Sequence, residues 1–93
     1  MSKEKELIRE KFRRAVFTRD GNRCRVCSKD HCKLDAHHIT SRKLMANGGY
    51  VKENGISLCD CCHIKAEVGV LTSEFLYGLI GSSWIDATIA SSK

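Results

Sequence analysis

The chain has 93 residues, 42% of them apolar, with six cysteines, no proline and a formal net charge of +5. That length is expected to form one domain, near the lower limit at which an apolar core alone holds a fold, so an added cross-link is expected. No run is long and apolar enough to span a membrane, and Met1-Ser2-Lys3-Glu4-Lys5-Glu6 is charged rather than signal-like, so no membrane partner and a reducing, cytoplasmic compartment are expected, where paired cysteines more often hold zinc than disulfides.

The charge is unevenly spread: residues 1–52 carry 14 Lys/Arg against 6 Asp/Glu, and residues 53–93 carry 2 against 5, giving halves of +8 and −3. One basic face of that kind favours a polyanion, most simply nucleic acid. The plain alternative is a solvated basic helix with no partner.

Residues 1–20 read as a basic amphipathic helix, with Leu7, Ile8, Phe12, Ala15 and Val16 on one stripe and Lys5, Arg9, Arg13 and Arg14 largely off it. Glu10 and Arg14 form an i,i+4 pair of favourable polarity. Arg19-Asp20-Gly21-Asn22-Arg23 then breaks the helix and delivers the chain to Cys24. From Lys33 to Thr40 the residues alternate loosely, with Leu34, Ala36 and His38 on one side of a strand and Asp35, His37 and Ile39 on the other. Residues 41–55 form a long basic loop with Asn47-Gly48-Gly49 and Asn54-Gly55, and loops of that length in a compact domain are usually functional.

Ile56-Ser57-Leu58 reads as a second strand, and a helix starts at Asp60 and runs to about Val68. The segment 69–93 reads as helical. Thr72 or Ser73 caps a helix that ends at Gly81, and Ser83 to Asp86 has the spacing of a capping box before a last short helix. The apolar residues from Phe75 to Ile89, with Trp84, either form a homodimer face or pack on the N-terminal helix. Packing is favoured because Leu7, Ile8, Phe12 and Val16 also need a partner.

Cys24-x-x-Cys27 and Cys59-x-x-Cys62 each have the spacing that closes on a tetrahedral ion, and four thiolates fill its shell, as in a structural Zn²⁺ site. Cys61 competes with Cys62, but only Cys59-x-x-Cys62 repeats the upstream spacing. Cys32 and Cys61 are expected to be ordinary thiols. His31 reads as an ordinary surface or core histidine. His37, His38 and His63 differ by position. Adjacent residues at a strand end point oppositely, so His37 and His38 should have different roles. His63 lies about 100° round a helix from Cys62, so it can look at a second site.

Arg19-Asp20-Gly21, Cys24-x-x-Cys27, Ala36-His37-His38-Ile39 and Asn54-x4-Cys59-x-x-Cys62-His63 together resemble the HNH nuclease family over residues 19–66. The resemblance implies an α+β fold: a ββα-metal finger over residues 21–68 with a four-cysteine zinc site, flanked by the N-terminal and C-terminal helices. It implies that His38 is the general base, that His37 and His63 hold a catalytic divalent ion, and that Asn54 braces the loop and positions the base. Glu67, one turn after His63, either ligates that ion or pairs with a lysine, and the lysine is favoured. The implied reaction is metal-dependent hydrolysis of a DNA phosphodiester with Mg²⁺, Mn²⁺ or another divalent ion, by nicking or cutting both strands.

Arg42, Lys43, Lys52, Arg13 and Arg14 are the candidate DNA contacts. Stand-alone proteins similar to this one occur in bacteriophages and mobile elements, which implies the host cytoplasm and, in one such setting, packaging proteins as partners. The rival expectation is a zinc-stabilised DNA-binding module that does not cut. A zinc ribbon that binds protein would leave the histidines and the basic half unused.

Overall fold

The computed structural model describes residues 3–30 and 32–93. Met1, Ser2 and His31 lie outside them. The first helix, α1, spans Lys3–Arg19, with Glu4 and Glu6 in its first turn and Arg19 in its last, the arrangement its dipole favours. Glu10 and Arg14 meet at 3.4 Å on its exposed side. Gly21 and Asn22, at φ of 67° and 57°, end it in the left-handed region.

Strand β1 (Leu34–His38) pairs antiparallel with β2 (Gly55–Cys59), in the register Leu34 to Cys59 and His38 to Gly55. The connection holds three short turns: 3₁₀ turns at Arg42–Leu44 and Lys52–Asn54, and between them Ala46–Gly49, where Asn47 and Gly48 take φ of 55° and 76° in the left-handed region. Helix α2 (Asp60–Glu67) follows β2 without a gap, and α3 (Ser73–Leu79) and α4 (Trp84–Ser91) complete the chain. Thr72 Oγ1 accepts from the Phe75 amide at 3.1 Å and Ser83 Oγ from the Asp86 amide at 3.0 Å, so both read caps are formed. Among the described residues no helix is long and apolar enough to cross a membrane.

Partners across the sheet share a face. His38 and Gly55 therefore face α1, while His37 and Asp35, opposite Ile56 and Leu58, face the other way. Ile56 and Leu58 are fully buried in the main core with Ile39, Met45, Leu76, Tyr77 and Ala87. Each of the isoleucine, leucine and methionine side chains among them contributes about 1.5–3 kcal/mol by leaving water.

Only Phe12 and Val16 of the expected apolar stripe are buried; Leu7, Ile8 and Ala15 are exposed. For Leu7 and Ile8 the reason is length. A helix of 17 residues is about 26 Å long, whereas strands of five residues reach about 17 Å, so the first turns of α1 overhang the sheet. The favoured packing of the C-terminal segment on α1 is likewise corrected. The main contacts of α1 are with β1, β2 and the third loop turn, whereas α4 packs on the second and third loop turns. Phe75, Trp84, Ile85 and Ile89 are exposed.

The close approach of α1 to β2 depends on Gly55. A Cβ there would lie 2.5 Å from Val16 Cγ2 and 2.7 Å from Phe12 Cζ. Gly55→Ala is therefore expected to destabilise the protein by about 1–3 kcal/mol, read as a lower midpoint in urea with an unchanged slope. The turn after α1 is tied to the same strand by Asp20, for which the sequence suggests no such tie. Its buried carboxylate accepts from Arg19 Nε at 2.8 Å and from the Ser57 amide at 2.9 Å, and Arg19 Nη2 donates to the Gly55 carbonyl at 2.7 Å.

Candidate metal centre and histidine cleft

The knuckle at Cys24 is closed by the backbone: the Ser28 amide donates to Cys24 O at 2.9 Å and the Cys24 amide to Lys29 O at 3.0 Å. The Arg25 amide bonds Ser57 O at 2.9 Å, which fixes the knuckle to β2. Cys59 ends β2 and Cys62 sits in the first turn of α2. The four ligand sulfurs lie within 4.8 Å of one another, and Cys27 Sγ is 3.5 Å from Cys59 Sγ. A tetrahedral ion with bonds of about 2.3 Å sets sulfurs about 3.8 Å apart, so the four cysteines can hold a metal ion such as zinc.

The electrostatics agree with that donor set. Burial raises the Cys24 thiol, but the amides of Cys27, Cys59 and Val26 outweigh it and bring its pKa down to about 6. Cys62 is pushed the other way by burial and by the Cys59 and Cys24 thiols. A cluster in which one thiolate forms readily and its neighbours resist a second charge is one that a dication relieves. Cys61 is exposed and stands outside the cluster. Cys32 is half-buried, and burial and the nearby Cys59 raise its thiol pKa.

The opposite orientation of the two adjacent histidines is realised. His38 stacks on Phe12 with ring centroids 4.4 Å apart and meets the edge of Tyr50 at 4.7 Å. Its Nε2 is buried without a hydrogen-bond partner. Burial first, then the positive Arg42 and the neighbouring His37, bring its pKa down to about 4. His37 is lowered as well, by burial and then by His63, whose ring centroid is 5.1 Å away. These histidines line a cavity of about 420 Å³ together with Arg9, Phe12, Arg13, Arg42 and Tyr50.

His63 is held on both sides: Asp35 Oδ2 lies 3.1 Å from Nδ1 and Glu67 Oε1 3.1 Å from Nε2. The favoured pairing of Glu67 with a lysine is thus replaced by a contact with His63, because one helical turn brings residues i and i+4 to the same side. Asp35 was not singled out by sequence reasoning. The signal for it was the strand alternation, which sets it on the same face as His37. Among the described residues the four cysteines are the group of three or more His, Cys, Asp or Glu side chains whose donor atoms converge.

Asn54 is fully buried. Its Oδ1 accepts from the Thr40 amide at 2.9 Å and the Tyr77 hydroxyl at 2.8 Å, and its Nδ2 donates to Thr40 O at 3.1 Å and Gly49 O at 3.2 Å. The side chain therefore closes the loop onto the segment just after His38 without touching His38 itself. Burial raises the Tyr77 phenol pKa, partly offset by Thr40, which keeps it a neutral donor. Asn54→Ala strands these partners, and a loss on the order of 3 kcal/mol is expected in chemical denaturation.

Of the basic candidates, Arg42 and Arg13 line the histidine cavity, and Lys43 borders an adjoining one. Arg14 pairs with Glu10 on the outer side of α1, and Lys52 lines a separate cavity with Arg19 and Asp86. Arg9 and Tyr50, which complete the basic wall, were missed as cleft residues, since Arg9 read as one of several helix cations and Tyr50 as loop. No protein-family model, curated protein or solved structure matches the chain.

Proposed function

We propose that the protein is a zinc-stabilised, metal-dependent DNA endonuclease of the HNH type. The observation that carries the reading is the arrangement at the end of β1: His37, His38 and His63 line one cavity with Arg13 and Arg42, and His37, whose side chain leaves the strand opposite to that of His38, meets His63. A binding module has no need of a histidine held in the neutral form beside a pair of imidazoles.

In this reading Arg42 and Arg13 grip a backbone phosphate, which positions the substrate without reading its sequence. With Nε2 of His38 buried, Nδ1 is the nitrogen left to take a proton from the attacking water. Stacking on Phe12 and the edge of Tyr50 hold that imidazole in one orientation. His37 and His63, with Glu67 beside them, are a nitrogen and carboxylate donor set that suits a divalent ion once the contact between Glu67 and His63 opens. Such an ion supplies charge neutralisation at the phosphate and the leaving 3′ oxygen. Asp35, at Nδ1 of His63, orients that ring. Zn²⁺ is the ion assigned to the four cysteines.

A second reading, a DNA-binding module that does not cut, is favoured by one observation: both nitrogens of His63 already face carboxylates. Supercoiled-plasmid cleavage with Mg²⁺, Mn²⁺, Ni²⁺ or Zn²⁺, and with chelator, separates the two. Conversion to nicked or linear DNA that requires an added ion is expected. Absence of cutting with every ion, alongside intact DNA binding, would establish the second reading instead.

A further inference from the structure

A second cavity, of about 400 Å³, opens between α1 and the first two loop turns. Arg9, Arg42 and Tyr50 line it as well as the histidine cavity, so the two adjoin across a shared wall. Its volume is that of a small-molecule cleft. Two kinds of surface meet there. Arg9, Arg42 and Lys43 supply positive charge, and Ile8, 47% exposed and without the cover the helix stripe would suggest, supplies an apolar wall beside the Tyr50 ring.

Tyr50 is held firmly. Arg42 Nη1 donates to its hydroxyl at 2.8 Å, and its ring meets the Phe12 and His38 rings edge-on at 5.6 and 4.7 Å. Gly48, at φ of 76°, leaves the room this ring needs, since a Cβ there would lie 2.9 Å from Tyr50 Cε2. Cations alone would suit a bare phosphate. An apolar wall with a fixed aromatic ring beside those cations suits the flat, weakly polar face of a base joined to a phosphate.

We infer that this cavity is a nucleobase subsite: it receives the unpaired base of the nucleotide next to the phosphate gripped at His38, with the base against Ile8 and Tyr50 and its own phosphate between Arg9 and Arg42. The inference rests on the nucleic-acid reading above and adds to it a requirement for a locally unpaired base. It gives the overhanging start of α1 a purpose that packing does not.

The test compares a labelled thymidine octamer with a chain of the same length whose residues are abasic, so that the phosphates are equal and the bases differ. Anisotropy is measured on the zinc-loaded protein with no added divalent ion. The wild type is expected to bind the octamer about tenfold more tightly than the abasic chain, within the range of base stacking on a protein surface. Ile8→Ser, at an exposed position, is expected to bring that ratio near one with abasic affinity unchanged within about twofold, and Arg9→Ala to weaken both probes alike.

Equal binding of the two probes by the wild type, equal loss of both in Ile8→Ser, or no binding of either would overturn the subsite. Plasmid cleavage is scored separately. Cleavage without base-dependent binding removes the subsite alone, whereas base-dependent binding without cleavage removes the nuclease reading and leaves the subsite standing.

Discussion

Replacing His38 with alanine is expected to lower the rate of plasmid cleavage by about 10²–10⁴-fold while divalent-ion affinity stays within about twofold, because a general base acts on the proton and not on the ion. His37→Ala and His63→Ala are expected to weaken ion binding, so that the rate falls at low ion concentration and is partly rescued by raising it. Calorimetric titration of the ion into each variant, beside single-turnover cleavage, separates the two effects.

With His38 as the proposed base, the same residue is expected to set the acid limb of the rate. An unperturbed histidine titrates near about 6.5, but burial and the positive Arg42 hold His38 at about 4. Its neutral, proton-accepting form therefore persists as the pH falls through 6, and its own contribution to the rate should decline only toward pH 4. A bound dication nearby moves this limb further down, not up. The linked stability has the matching sign: with the folded pKa below the unfolded one, the contribution is fully present above about 6.5 and is lost as the pH falls toward about 4. A cleavage rate that halves near pH 6.5, with folding intact, would contradict His38 as the base in the environment described.

Depriving the four cysteines of a metal such as zinc is expected to unfold the protein, not merely slow it. Zinc bound by small modules supplies about 10–16 kcal/mol of apparent folding free energy, the same order as the whole net stability of a typical domain, about 5–15 kcal/mol. The four sulfurs join the knuckle after α1, the end of β2 and the start of α2, so without the ion these three segments lose their common anchor. Cys24→Ser, or treatment with a strong chelator, should abolish the thermal transition in far-UV circular dichroism. Cys61→Ser should leave the midpoint and the zinc content unchanged. A Cys24→Ser protein that keeps its transition would remove the four-cysteine site from its structural role.

Much of the fold was legible because its signals are local. The matched Cys-x-x-Cys spacings, the Asp20-Gly21 and Asn47-Gly48 turns, the caps at Thr72 and Ser83 and the alternation around His37 and His38 each depend on a few neighbouring residues, whereas Asn54-Gly55, read as loop, enters β2 at Gly55. What stayed hidden depends on reach. The stripe on α1 promises more burial than a five-residue sheet can supply, so Leu7 and Ile8 face outward. Asp20 and Asp35 act through partners 37 and 28 residues away, Ser57 and His63. Tyr50 becomes a wall of the cleft only when the loop folds back on α1. No spacing rule encodes such distant meetings.

The hydroxyl of Tyr77 has a consequence for how this module can be transplanted. It comes from α3, outside the motif-bearing residues 19–66, yet it fills one of the two positions on Asn54 Oδ1, and the Thr40 hydroxyl lies 2.6 Å from it. A graft carrying only the cysteine pairs, the histidines and Asn54 would install that amide without its donor, and Thr40 without its neighbour. The smallest portable unit therefore extends through α3, and a helix with a single charged side chain, Glu74, and no metal-binding cysteine or histidine sets where a working fragment can be cut.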